Sequence, residues 1–123
     1  MRVLFCGSRA DFDYDSLVQE VEKLDRKKDV VIQGEEPKGA DNAAKIVALR
    51  RGIPVMGFHP AWGFYGKAAG PIRNRWMLEH GHPQLVLAFP KSRKKEHSGT
   101  WNMVAAAKKA GVKVKVFAGR RAE

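Results

Sequence analysis

Cysteine is almost absent from the chain: Cys6 is the one cysteine in 123 residues. A single thiol excludes an intramolecular disulfide framework and a zinc site built on paired cysteines. Long apolar runs are missing too. Met1–Phe5 leads at once into Cys6-Gly7-Ser8-Arg9, too short for the apolar core of a signal peptide. No run approaches the roughly 20 residues of a membrane-spanning helix. The expectation is a soluble cytoplasmic protein without a membrane partner. Acidic residues are scarce beside basic ones, 13 against 23, for a formal net charge of +10. Residues 91–123 account for most of the imbalance. There Lys91, Arg93, Lys94, Lys95, Lys108, Lys109, Lys113, Lys115, Arg120 and Arg121 face only Glu96 and Glu123, a net +8, whereas residues 1–90 carry +2. Such a segment either attracts polyanions such as nucleic acid or forms a solubilising face, and composition alone does not place its charges on one surface.

Hydrophobic residues at 44% and charged residues at 29% are ordinary for a folded protein, and this length suits one domain. The expected domain spans residues 1–118, with a short basic tail at 119–123. Apolar runs alternate with helical patterns along it. Arg2–Cys6, Asp29–Gln33, Ile53–Phe58, Gln84–Phe89 and Val112–Phe117 read as strands. Between them, Leu17, Val21 and Leu24 stripe one helix, and Ala40, Ala43, Ala44 and Val47 a second, closed by Arg51-Gly52. Pro71–His80 predicts a third helix with proline at its first position. Met103, Ala106, Ala107 and Ala110 stripe a fourth, stopped by Gly111. Strands separated by helices of this length imply βαβ units. The expected fold is α/β, a Rossmann-like three-layer sandwich on a mostly parallel sheet of about five strands.

In such a sheet ligands bind beyond the carboxyl ends of the strands. The glycines and polar groups concentrate there: Gly7-Ser8-Arg9 after the first strand, Gly34 to Gly39-Ala40-Asp41 after the second, Arg73-Asn74 beyond the third, and Ser98-Gly99-Thr100 beyond the fourth. Arg73, near the third residue of its helix, stands at the end whose dipole disfavours a cation, which makes sense if an anion lies between them. The alternative is a side chain turned out to solvent or to Glu79. Ser98-Gly99-Thr100 offers hydroxyls and bare amides to an anion, or simply caps the helix.

Familiar motifs fail here. Gly34 and Gly39 have P-loop spacing, but Ala40-Asp41 stands where lysine and a hydroxyl are required. No G-x-G-x-x-G follows the first strand, and no G-x-S-x-G elbow exists. His80 and His82 beside Gly81 and Pro83 read as a turn, so no metal and no cofactor is expected. Trp62, Phe64 and Tyr65 crowd one loop, where a base could stack, while Trp76 and Trp101 read as packing residues.

Together these residues resemble the SLOG (SMF/DprA–LOG) superfamily, specifically its YspA-like branch. The resemblance runs from Val3 to Phe117 and is carried mainly by Tyr65-Gly-Lys-Ala-Ala-Gly-Pro-Ile-Arg-Asn-Arg-Trp-Met-Leu78. Cys6–Arg9, Lys38–Asp41, Ala88–Pro90 and Gly99–Met103 support it. It implies a nucleotide-binding Rossmann-like domain. Superfamily members include LOG enzymes that cleave the N-glycosidic bond of nucleoside 5′-monophosphates and a DprA branch that binds single-stranded DNA. The pairing of LOG relatives through helices makes a homodimer an expectation by analogy. The chain departs from the LOG pattern G-G-x-G-T-x-x-E. Glu96 and His97 replace its first glycines, and Met103 stands at the position of the catalytic glutamate, where it can neither exchange a proton nor stabilise an oxocarbenium ion. Gln33-Gly34-Glu35 replaces the branch's usual His-Gly-Gly.

Three functions follow as expectations. The first is a binding module for a nucleotide or nucleotide-derived ligand, ADP-ribose-like or a signalling nucleotide. Gly7, Ser8, Gly34, Gly39, Ser98, Gly99 and Thr100 would cradle phosphate, and Arg73 would supply the cation. Arg9 would assist there or contact base or ribose, Asn74 would meet a polar edge and Asp41 a ribose hydroxyl. The second is an N-glycosidic hydrolase, for which Asp41, Glu36 or Glu35 would have to supply the carboxylate that Met103 lacks. The third is binding of single-stranded nucleic acid by the basic C-terminal segment.

Overall fold

A computed structural model describes residues 1–94 and 98–119. Five strands form one parallel sheet: β1 (Arg2–Gly7), β2 (Val30–Gln33), β3 (Val55–Gly57), β4 (Leu85–Phe89) and β5 (Lys113–Val116), in the order β3-β2-β1-β4-β5. Helices α1 (Tyr14–Glu22), α2 (Ala40–Arg50), α3 (Trp62–Tyr65), α4 (Ala69–Gly81) and α5 (Gly99–Lys109) connect them. The architecture is the Rossmann-like α/β sandwich read from the hydrophobic rhythm.

Its layers follow from side-chain alternation. Along β1, Val3 and Phe5 face one side and Leu4 and Cys6 the other. Val3 and Phe5 pack with Leu17 and Val21 of α1 and with Ala40, Ala44 and Ala48 of α2. Leu4 and Cys6 pack with Met77 of α4 and with Met103, Val104 and Ala107 of α5. The alanines of α2 and α5 let those helices approach the sheet closely. The rings of Phe5, Phe89 and Phe117 run in a stack across β1, β4 and the segment after β5, at 6.0 Å and 4.8 Å between centroids. The central strands β1, β2 and β4 are buried on both faces, which is why they read as unbroken apolar runs. β5 forms an edge, and its exposed Lys113 and Lys115 blunt further strand pairing there.

Several boundaries differ from those the sequence suggests. β3 is three residues, not the run 53–58. Ile53 is buried ahead of it, and Pro54, which has no amide to donate, lends its carbonyl to Val31. Helix α4 begins at Ala69, so Pro71 is its third residue rather than its first. Proline is tolerated there because amides of the first turn have no intrahelical partner. The long loop after β3 contains the single turn α3 and a 3-10 turn at Gly66–Ala68. His80 and His82 are exposed at the end of α4, with His82 forming its left-handed cap. Gly119, the first residue assigned to a tail, is buried, and its amide donates to the carbonyl of Pro90. Lys95, Glu96, His97, Arg120, Arg121 and Glu123 lie outside the described residues. Among the described residues no helix is long and apolar enough to cross a membrane.

Candidate functional site

β1 and β4 are neighbours, yet their connections leave on opposite faces, β1 into α1 and β4 into α5. Strands that diverge in this way open a crevice at their carboxyl ends. A cleft of about 750 Å³ lies there. Gly7, Ser8 and Arg9 bring β1 to it, and Pro90 and Lys91 bring β4. Ser98, Gly99 and Thr100 present the start of α5, while Arg73 and Asn74 reach it from α4. Asp41 and Glu36 enter from the β2 side, and Trp62 stands on α3.

Arg73 is the fifth residue of α4 and only 7% exposed, so it turns inward rather than to solvent or Glu79. Its Nη1 donates to the carbonyl of Gly34, and its Nε donates to Asn74 Oδ1 at 2.9 Å. Asn74 Nδ2 in turn donates to Asn102 Oδ1 at 3.0 Å and to the Gly99 carbonyl at 3.4 Å. One chain of hydrogen bonds therefore links the end of β2, α4 and the start of α5.

Asp41 completes the arrangement from the other side. Its Oδ2 accepts the amides of Gly34 at 3.1 Å and of Glu36 at 3.4 Å. Burial pushes its carboxyl up to about 6, against the opposing pull of the Arg73 charge and these amides. Gly34 is thus held through its N–H by a carboxylate and through its carbonyl by a guanidinium. A Cβ on Gly34 would lie 2.5 Å from Arg73 Nη1 and 2.9 Å from Asp41 Oδ2, so the pair needs glycine between them. Gly39 takes a left-handed φ of 82°, and its backbone lies against the Ser8 carbonyl and Arg9, joining the β1 and β2 loops. Gly34 and Gly39 consequently shape the site from behind.

The remaining groups divide by their partners. The Ser8 amide donates to the Phe89 carbonyl at 3.0 Å, so it is committed to the sheet rather than to a ligand. The Ser8 hydroxyl accepts from the Ala10 amide and keeps its own proton to donate. Ser98 Oγ caps α5 by accepting from the Trp101 amide at 3.4 Å. The amides of Gly99 and Thr100 belong to the first turn, where no intrahelical acceptor exists. Arg9 Nε pairs with Glu36 Oε1 at 3.2 Å. Glu35 takes a left-handed φ of 59° and is locked by Gln33 and by Lys45, whose ammonium holds its carboxyl below the usual range. Cys6 is buried, and burial pushes its thiol up, which keeps it protonated and unreactive.

Met103 is fully buried in the core beneath α5, as expected of a packing residue. Trp76 packs edge-on against Tyr65, and Trp101 packs on the core while also lining the cleft. Lys91, which the sequence offered only as part of the basic C-terminal segment, and Asn102 are cleft residues that were not among the candidate small-ligand contacts. Asn102 has no local signature, because its role comes from a bond to a helix 28 residues away.

The fold and this crevice define a Rossmann-like domain with a cleft at the strand switch point. A family model matches residues 1–65, more than half of the chain, and its description is YAcAr: YspA, cpYpsA-related SLOG family. The protein belongs to that family. The matched stretch holds Gly7–Arg9 and Gly34–Asp41, while Arg73, Asn74 and Ser98–Thr100 lie beyond it. None of the curated proteins compared matches the chain.

Proposed function

We propose that the protein binds a nucleotide or a nucleotide-derived ligand, such as an ADP-ribose derivative or a signalling nucleotide, in the switch-point cleft. One observation carries this: a buried guanidinium, Arg73, and the opening amides of α5 share one cleft with Lys91. A phosphate there would meet a cation, a helix dipole and backbone donors together. Ser8 and Thr100 would add hydroxyl donors, and Arg9 would close the mouth over the ligand from its pairing with Glu36. Family membership supports the same class of ligand.

Hydrolysis of the N-glycosidic bond is the second reading, favoured by Asp41, whose buried carboxyl in the cleft holds its proton up to about pH 6. Nucleic-acid binding would instead use the exposed Lys108, Lys109, Lys113 and Lys115 and would weaken steeply with salt.

A thermal-shift screen against AMP, GMP, ADP-ribose, cyclic AMP and short single-stranded DNA tests these together, since a ligand of the native state raises the melting temperature. A shift with one small nucleotide, lost in Arg73→Ala, supports the binding reading. Base release sensitive to Asp41→Asn or Glu36→Gln would make the protein an enzyme. A shift with DNA alone, fading with salt, would overturn the small-ligand reading.

A further inference from the structure

The cleft is lined by both polar and aromatic groups. Arg73, Lys91 and the start of α5 form the polar part. Trp62 faces the same space from α3, and it is 46% exposed, a large apolar area to leave in water. Of the exposed large hydrophobic side chains among the described residues, Trp62 is the one that lines the cleft. Trp101 also lines it, but that indole is half-buried against the core and is held there by packing.

Trp62 is presented on a well-anchored support despite the brevity of α3. The amides of Phe64 and Tyr65 both donate to the Ala61 carbonyl, at 3.1 Å and 2.9 Å. Tyr65 meets Phe64 edge-on at 4.7 Å and Trp76 of α4 edge-on at 6.0 Å, which fastens the turn to the long helix. The far edge of the Trp62 ring lies over Gly70, where a Cβ would stand 3.5 Å from Cη2. The indole therefore sits beside the first turn of α4, the helix that carries Arg73.

From this placement we infer that Trp62 is a stacking platform for the planar base of the bound ligand, so that the cleft selects molecules combining a phosphate with a heteroaromatic ring. The inference rests on the nucleotide reading of the cleft and deepens it. Stacking tolerates any base, because every base offers a π-face, so Trp62 contributes affinity for the ring rather than a choice among bases.

The test compares base-bearing probes (AMP, GMP and ADP-ribose) with a base-free one, ribose 5-phosphate, by titration calorimetry on wild type, Trp62→Ala and Trp62→Phe. The expected result is a loss of about 5- to 150-fold in affinity for the base-bearing probes in Trp62→Ala. Ribose 5-phosphate should bind that variant as it binds wild type, and Trp62→Phe should recover most of the loss. Equal affinity of wild type and Trp62→Ala for the base-bearing probes would overturn the platform while leaving the nucleotide reading intact. A parallel loss for ribose 5-phosphate would also overturn it, by showing a general disturbance of the cleft. Failure of all four probes to bind wild type would bring down the nucleotide reading and the platform with it. Because Trp62 is outside the core, both variants should melt close to wild type.

Discussion

Arg73 donates to the carbonyl oxygen of Gly34, 39 positions earlier in the chain, while the amide of Gly34 donates to Asp41. A single peptide segment is thereby clamped between a buried cation and a buried carboxylate. Removing the cation exposes both consequences. Arg73→Ala leaves the Gly34 carbonyl without its donor and Asp41 without its nearby positive charge. The expected cost is about 1–3 kcal/mol of stability together with loss of nucleotide binding. Arg73→Lys restores charge but not the fork, and should recover stability better than affinity. Chemical denaturation and ADP-ribose titration measure the two effects separately. Unchanged affinity in a folded Arg73→Ala protein would remove Arg73 from the phosphate site.

Gly34→Ala tests the clamp without changing any charge. The new methyl would press on both Arg73 and Asp41, and neither can retreat easily because both are buried. A loss of about 1–3 kcal/mol is expected, as for other overpacked sites, with weaker nucleotide binding. An Ala variant as stable and as competent as wild type would show that the loop after β2 can shift freely.

Asp41 should make stability fall with rising pH over a defined window. The unfolded carboxyl releases its proton near its ordinary 3.8, whereas the folded one holds it to about 6. Between those values the folded state binds more protons, so the contribution of this group falls as pH rises and is flat above the window. Asp29 is lowered first by a backbone hydrogen bond from Asp25, and Glu35 by Lys45, so their opposite slopes lie at and below their ordinary values. Asp41→Asn should therefore gain on wild type by about 3 kcal/mol between roughly pH 4 and pH 7. Parallel unfolding curves across that range would contradict the placement of Asp41. An anion bound in the cleft further disfavours the ionised carboxylate, so affinity for ADP-ribose should weaken as pH rises from about 6 upward, where the free protein loses that proton first.

Met103→Glu restores the residue type that the LOG pattern carries at this position. The side chain here is fully buried among Met77, Val104 and Ala107. An uncompensated carboxylate in that core should cost about 3–5 kcal/mol and add no base-release activity. Nucleotide hydrolysis by a stable Met103→Glu protein would show that this position reaches the cleft after all.

Much of this was legible in the chain itself. The β-rich runs ending in Gly7 and Gly34, and the alanine stripes of α2 and α5, announced alternating strands and close-packed helices, because burial periodicity is a local property. The loops carrying Ser8, Asp41, Arg73 and Thr100 could be assigned to one rim on the same grounds, since parallel strands send all their carboxyl ends the same way. Short-range signals misled where tertiary contacts compete with propensity. Pro71 marked the first turn of α4 but not its first residue, and β3 shrank to three residues at the sheet edge, where only one neighbour supplies hydrogen bonds.

The chain by itself determined the class of fold and the end of the sheet where the cleft opens, because the hydrophobic pattern and the direction of the strands decide both. Only the tertiary structure decided what each polar residue there does. Arg73, Asp41, Asn74 and Asn102 are separated by up to 61 positions in the chain, and their partners are chosen when α2, α4 and α5 close on the sheet. Burial, which converts a surface charge into a clamp and raises the carboxyl of Asp41, depends on that closure, and no local pattern encodes it.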